Sequence, residues 1–121
     1  MLVDYSCTKS DAQNLPDGTQ QIGKILFYKK KNSNAPEIWT SNYDGSGQTR
    51  INLQLPGTVF LVTNFSAKLS PDGSKVYFNA IDYSCGQGYQ CIDIYSANID
   101  GTAVTKIIDS QIDEISLSDV Y

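Results

Sequence analysis

The sequence has no histidine, one tryptophan, one methionine and only nine Lys and Arg among 121 residues. Without histidine it lacks the commonest general base and the commonest side chain for binding transition metals. A serine nucleophile would need lysine or a carboxylate as its partner. No glycine-x-serine-x-glycine elbow is present, since Ser46 stands in Asp44-Gly45-Ser46-Gly47. Three cysteines with no fourth ligand do not close a zinc site. Basic residues are sparse and the net charge is -4, which argues against an electrostatic grip on nucleic acid. The one basic run, Lys29-Lys30-Lys31, adjoins Asn32-Ser33-Asn34 and reads as a solvated loop. No apolar run nears the ~20 residues that cross a bilayer, so membrane insertion is not expected. Met1-Leu2-Val3-Asp4-Tyr5 lacks the basic region and apolar stretch of a secretory signal; the chain is then intracellular, or a leader lies outside it. These absences predict no catalytic residue, no metal and no cofactor.

What is present favours strands. Hydrophobic residues make up 40% and charged residues 18%, with eight tyrosines, which suits a β-rich globular domain. Ser70-Pro71-Asp72-Gly73 supplies a preset φ, a self-bonding side chain and a residue tolerant of positive φ, so it joins two antiparallel strands tightly. Asp100-Gly101 and Asp44-Gly45 are further hairpin signals. Strands are predicted over 23–29, 37–43, 49–55, 74–80, 91–99 and 103–108, with an extended segment over 58–69 and a last strand over 112–121. Ile25-Leu26-Phe27-Tyr28 has no polar break, as in a strand covered on both faces. Residues 2–5 read as a short strand and the polar run up to 21 as loop.

The strands repeat. Lys24-Ile25-Leu26-Phe27 aligns with Lys75-Val76-Tyr77-Phe78, and residues 37–45 align with 93–101, so that Trp39 matches Tyr95 and Asp44-Gly45 matches Asp100-Gly101. Arg50-Ile51 matches Lys106-Ile107. Recurring strand–turn units of this kind mark stacked modules that cannot bury their faces alone. The second copy is longer between its first two strands by a loop that carries Cys85 and Cys91.

Ser-Pro-Asp-Gly, then Lys-Val-Tyr-Phe, then Ile-Tyr and Asn-x-Asp-Gly-Thr with a closing Lys-Ile-Ile resembles one blade of the TolB-like and WD-type β-propeller repeats. Residues 59–109 match nearly end to end and 23–55 match as an earlier copy. The Leu15-Pro16-Asp17-Gly18 turn sits too far ahead of Ile25 for the repeat's tight turn. The resemblance implies an all-β fold of two antiparallel four-stranded propeller-type blades, a partial β-propeller. Residues 1–57 are blade one with an irregular N-terminal segment, 58–109 blade two, and 110–121 a closing strand or tail. Two blades cover one face each, and the outer faces would be apolar patches. At roughly 25 cal/mol per Å2 a few hundred Å2 of such surface favours association. The chain is then part of a longer propeller, an oligomer completing a ring, or a domain whose terminal segments fold back. The 112–121 segment would supply blade one's missing strand, in cis or in a partner.

Several residues invite chemistry but read more simply. Asn42 with Asp44-Gly45 and Asn98 with Asp100-Gly101 are oxygen-rich, yet the spaced aspartates and distal glutamate of a calcium loop are missing, so they are turns. Asp109, Asp113 and Glu114 read as a solvated, edge-protecting surface. Trp39 and Tyr95 read as packing residues. Asn64-Phe65-Ser66 matches a glycosylation acceptor but falls inside an expected strand and reads as a chance match. The spacing of Cys85 and Cys91 allows a disulfide pinning the loop between them, with Cys7 left over; a bridge would imply an oxidising, periplasmic or secreted setting, and free thiols a cytoplasmic one. Loops on a rigid scaffold carry recognition, so the binding candidates are Asp82, Tyr83, Gln87 and Tyr89. The expected function is a non-enzymatic interaction or ligand-binding module whose partner is a protein, either another chain or a second copy. Alternatives are a gating propeller from a peptidase-type hydrolase and a small oligomerising lectin.

Overall fold

The computed structural model describes residues 22–32, 34–85, 91–111 and 113–121. They form an all-β structure of two antiparallel sheets with one short 3-10 turn at Tyr83–Cys85. Sheet one holds β1 (Lys24–Lys29), β2 (Glu37–Asn42) and β3 (Thr49–Ile51) in that order. Sheet two holds β4 (Val59–Leu61), β5 (Lys68–Leu69), β6 (Lys75–Asp82), β7 (Ile92–Asn98) and β8 (Thr105–Ile108). Both β4 and β5 pair with β6, on the edge opposite β7, and β8 closes the other side. The sheets thus have three and five strands among the described residues. The short strand expected at 2–5 lies outside those residues, as does Cys7.

The repeat holds in register as well as in sequence. Lys24 faces Asn42 and Phe27 faces Trp39 across β1–β2, while Lys75 faces Asn98 and Phe78 faces Tyr95 across β6–β7. Lys24 Nζ donates to Asn42 Oδ1 at 2.7 Å, and Lys75 Nζ donates to Asn98 Oδ1 at 2.8 Å. Each following turn closes alike. Asn42 N donates to Ser46 O and Asn98 N to Thr102 O, both at 2.8 Å. Gly45 at φ 85 and Gly101 at φ 90 supply the left-handed residue. Opposite-charge pairs recur too: Arg50 lies 3.4 Å from Glu37, and Lys106 lies 3.1 Å from Asp93.

The two sheets meet through non-equivalent faces. Side chains alternate along a strand, so Leu26, Tyr28, Ile38 and Ile51 share one face of sheet one. Val76, Phe78, Ala80, Tyr95 and Ala97 share one face of sheet two. These two sets form a single core with Val59 and the linker residues Leu53 and Leu55. In the alignment of the copies, Leu26 corresponds to Tyr77 and Phe27 to Phe78. Sheet one therefore buries its Leu26 face, whereas sheet two buries the face equivalent to that of Phe27.

Several expectations are corrected. The strand expected over 49–55 ends at Ile51, because Leu53 N donates to Ile51 O and the chain leaves the ladder, although Leu53 and Leu55 still pack on the core. The 58–69 segment is two short strands separated by a turn, which places Asn64 exposed in a turn and not in a strand. Ile25-Leu26-Phe27-Tyr28 is not covered on both faces: Ile25 is 41% exposed. Residues 113–121 form no strand. They lie against sheet two, where buried Asn79 donates to Ile115 O at 3.3 Å and accepts from Leu117 N at 3.0 Å. That side-chain amide stands in for a ladder partner.

Candidate functional site

The binding candidates sit where β6 ends. Asp82 is the last residue of β6, and its Oδ1 accepts from Ser84 N at 2.9 Å, Ser84 Oγ at 2.7 Å and Thr58 Oγ1 at 3.0 Å. The Ser84 hydroxyl and amide hold its carboxyl below the ordinary aspartate range. Asp82 therefore shapes the loop, with its oxygens turned onto the protein's own donors.

Tyr83 does the opposite. Its amide donates to Thr58 O at 2.9 Å, which fixes the backbone, and its ring is 56% exposed. The ring meets Phe60, itself 49% exposed, edge-on at 5.6 Å and 66°. An aromatic pair in this geometry gains from ring electrostatics beyond simple area burial. Cys85 and Cys91 stand at disulfide distance, with Cα atoms 6.4 Å apart, and Cys91 O accepts from Asp82 N at 3.0 Å. The loop is thus tied at both ends to β6 and β7. Gln87 and Tyr89 lie outside the described residues.

Sequence reasoning missed Phe60. Its place was not legible within the extended segment: only the pairing with Ile81 puts it on the face of sheet two turned away from sheet one. It also missed an ion-pair hub that adjoins this site through Asp82. Lys106 Nζ lies 3.1 Å from Asp93 and 3.9 Å from both Asp82 and Asp109. Asp93 is almost fully buried and its other oxygen accepts from Ser110 N at 2.7 Å. The Asp93 hydrogen bond raises the Lys106 pKa, so this amine stays charged and offers no general base at neutral pH. Burial raises the Tyr95 phenol as well, and the Tyr95 hydroxyl and Ser110 hydroxyl are buried without a hydrogen-bond partner.

The remaining expectations divide. Asp109 joins the hub, while Asp113 and Glu114 are exposed. Asp44 and Asp100 turn one oxygen onto Ser46 and Thr102, in keeping with the turn reading. Tyr95 is 3% exposed and stacks on Phe78 at 5.9 Å, so it is a core residue with no face free for a sugar ring. Trp39, its counterpart, is only half-buried on the outer face of sheet one. There the Lys29 ammonium sits 3.7 Å over its ring and Glu37 accepts its Nε1–H at 3.0 Å. Lys29 thus ends a strand, and Lys30 and Lys31 are exposed. Open grooves of about 310 and 390 Å3 run between β1 and the 63–71 stretch, rimmed by Lys24, Lys68 and Ser70.

Among the described residues no helix is long and apolar enough to cross a membrane. The chain matches no family model, no curated protein and no solved structure.

Proposed function

We propose that the chain is a non-enzymatic, protein-binding module whose two sheets are propeller-type blades, and that it meets its partner through the rim of the second blade. The observation that carries this reading is the exposed Phe60–Tyr83 pair, held at the base of a loop whose cysteines stand at disulfide distance. Exposed aromatics on a fixed backbone lose little conformational freedom when covered, which makes them strong anchors. The propeller reading draws support from the face-to-face packing of two register-matched sheets. The cysteine pair favours an oxidising compartment, periplasmic or extracellular.

A photo-crosslinking residue placed at Tyr83 tests the reading. The expected result is a discrete protein adduct that disappears when Phe60→Ser is added. Adducts of the same yield from a crosslinker at exposed Gln48, in the turn between β2 and β3, would overturn it. Mass spectrometry before and after reduction reports the bridge independently, as a gain of two hydrogens at Cys85 and Cys91.

A further inference from the structure

Because the internal contact joins unlike faces, the described residues leave one face of each kind outside it. Sheet one leaves the Phe27 face, where Ile25 is 41% exposed and Phe27 and Trp39 are half-buried. Sheet two leaves the Tyr77 face. The tail covers the centre of that face at Asn79, while Phe60 and Ile108, each 49% exposed, remain open on either side. A contact between unlike faces is heterologous: repeated from chain to chain, it closes a ring or extends a filament.

The tail shows what the Tyr77 face is shaped for. Asn79 is the register equivalent of Tyr28, and Tyr28 Oη donates to Phe65 O in the stretch leading into β5 of the neighbouring sheet. Asn79 likewise donates to a backbone carbonyl, that of Ile115, and in addition accepts from Leu117 N. Ile115-Ser116-Leu117-Ser118 also follows the pattern of Ala67-Lys68-Leu69-Ser70. Residues 113–121 thus stand to sheet two as the 65–70 stretch stands to sheet one, which is the place of the innermost strand of a further sheet.

We propose that the partner of this rim is a second copy of the chain, docked head to tail with the Phe27 face of its sheet one on the tail-lined Tyr77 face of sheet two. Net charge agrees with the pairing: on the incoming face Lys29 and Arg50, with Lys30 beside it, outweigh Glu37, whereas on the receiving side Asp113, Glu114 and Asp119 of the tail outweigh Lys68 and Lys75 of the Tyr77 face. The contact already present within each chain, between a Leu26-type face and a Phe78-type face, is repeated between chains.

This rests on the module reading given above, and the two fail separately. Sedimentation velocity of the full chain over about a hundredfold range of concentration reads self-association directly. Wild type is expected to associate, and to do so less well as salt rises. Ile25→Asp and Ile108→Asp each replace an exposed side chain, so the fold survives, and each alone is expected to weaken association at least tenfold. Mixed together, the two variants are expected to form a discrete dimer, because the mixture retains one intact face of each kind. A monomeric wild type, or variants that stay monomeric when mixed, would overturn the head-to-tail contact. A crosslink from Tyr83 to an unrelated protein would then leave the module reading standing without self-association.

Discussion

Aspartate two residues before serine or threonine is the smallest unit this protein reuses. Asp44, Asp72, Asp82 and Asp100 each accept the backbone amide and the hydroxyl of the residue two further on. Asp72 also takes the Ser70 hydroxyl at 2.8 Å, and its pKa falls to about 2 through the bonds from Ser74 and Ser70. A depressed folded-state pKa means that the unfolded chain takes up protons first as pH drops. The stabilisation is therefore complete above the ordinary value of 3.8 and is lost as pH falls toward about 2. Carboxyl carbon shifts followed by NMR should place the Asp72 midpoint near that lower value, and Ser74→Ala should move it back toward 3.8. Glycine bears a comparable burden at one place. Gly101 has φ 90, its carbonyl accepts Gln54 N at 2.8 Å, and an added Cβ would run into the Asn52 carbonyl oxygen. Gly101→Ala is expected to cost ~3 kcal/mol in urea unfolding, from backbone strain plus displacement of the inter-sheet linker. Gly45→Ala, at a similar φ but with open space around the Cβ, should cost about 1 kcal/mol.

At the scale of strands and sheets, equivalent residues separate by which face the fold happens to cover. Phe27 and Phe78 hold the same repeat position, but Phe78 is fully buried and Phe27 is not. Truncating a fully buried phenylalanine costs about 4 kcal/mol, because lost transfer energy is joined by the cavity left behind. Phe78→Ala is expected near that figure and Phe27→Ala near 1 kcal/mol, with both measured in protein dilute enough to be dissociated. Equal losses would mean that the two sheets bury equivalent faces after all. This asymmetry also marks how far the sequence could be read. The turns, six of the eight strands and the repeat register follow from local chemistry: Asp-Gly pairs, apolar runs and matched Lys and Asn positions. Which face of each strand becomes core is a tertiary choice, and a run such as Ile25-Leu26-Phe27-Tyr28 reads the same whether one face is covered or two. The β4–β5 interruption was hidden for a related reason, as Thr63-Asn64 turns the chain without glycine or proline. Among the candidate residues, Tyr83 was legible because an aromatic in a loop insertion has no packing to explain it. Asp82 was legible as a residue but not as a role, since only coordinates show its oxygens turned inward. Lys106 could have been found from its alignment with Arg50, each set opposite an aromatic residue and paired diagonally with the acid two positions before it.

For the whole molecule, the decisive question is what holds the 113–121 tail on sheet two. One side chain makes both described polar ties: Asn79, 0% exposed, which also donates to Asp93 O at 3.3 Å. An asparagine amide offers a donor and an acceptor in a plane, so it can bond the tail backbone as a neighbouring strand would. Removing it strands a buried amide and a carbonyl, for which the usual cost is ~2 kcal/mol. Asn79→Ala is expected to lose about that much global stability and, more tellingly, to speed hydrogen exchange at the Leu117 amide relative to amides of β6 and β7. If Leu117 stays protected, the tail is held by Ile115 and Leu117 packing alone. If global stability falls while Leu117 and the sheets open together, the tail belongs to the same cooperative unit as the core. The expected outcome, early opening of the tail with the sheets intact, fits a segment that covers an apolar face in one chain while leaving Phe60 and Ile108 open for the next.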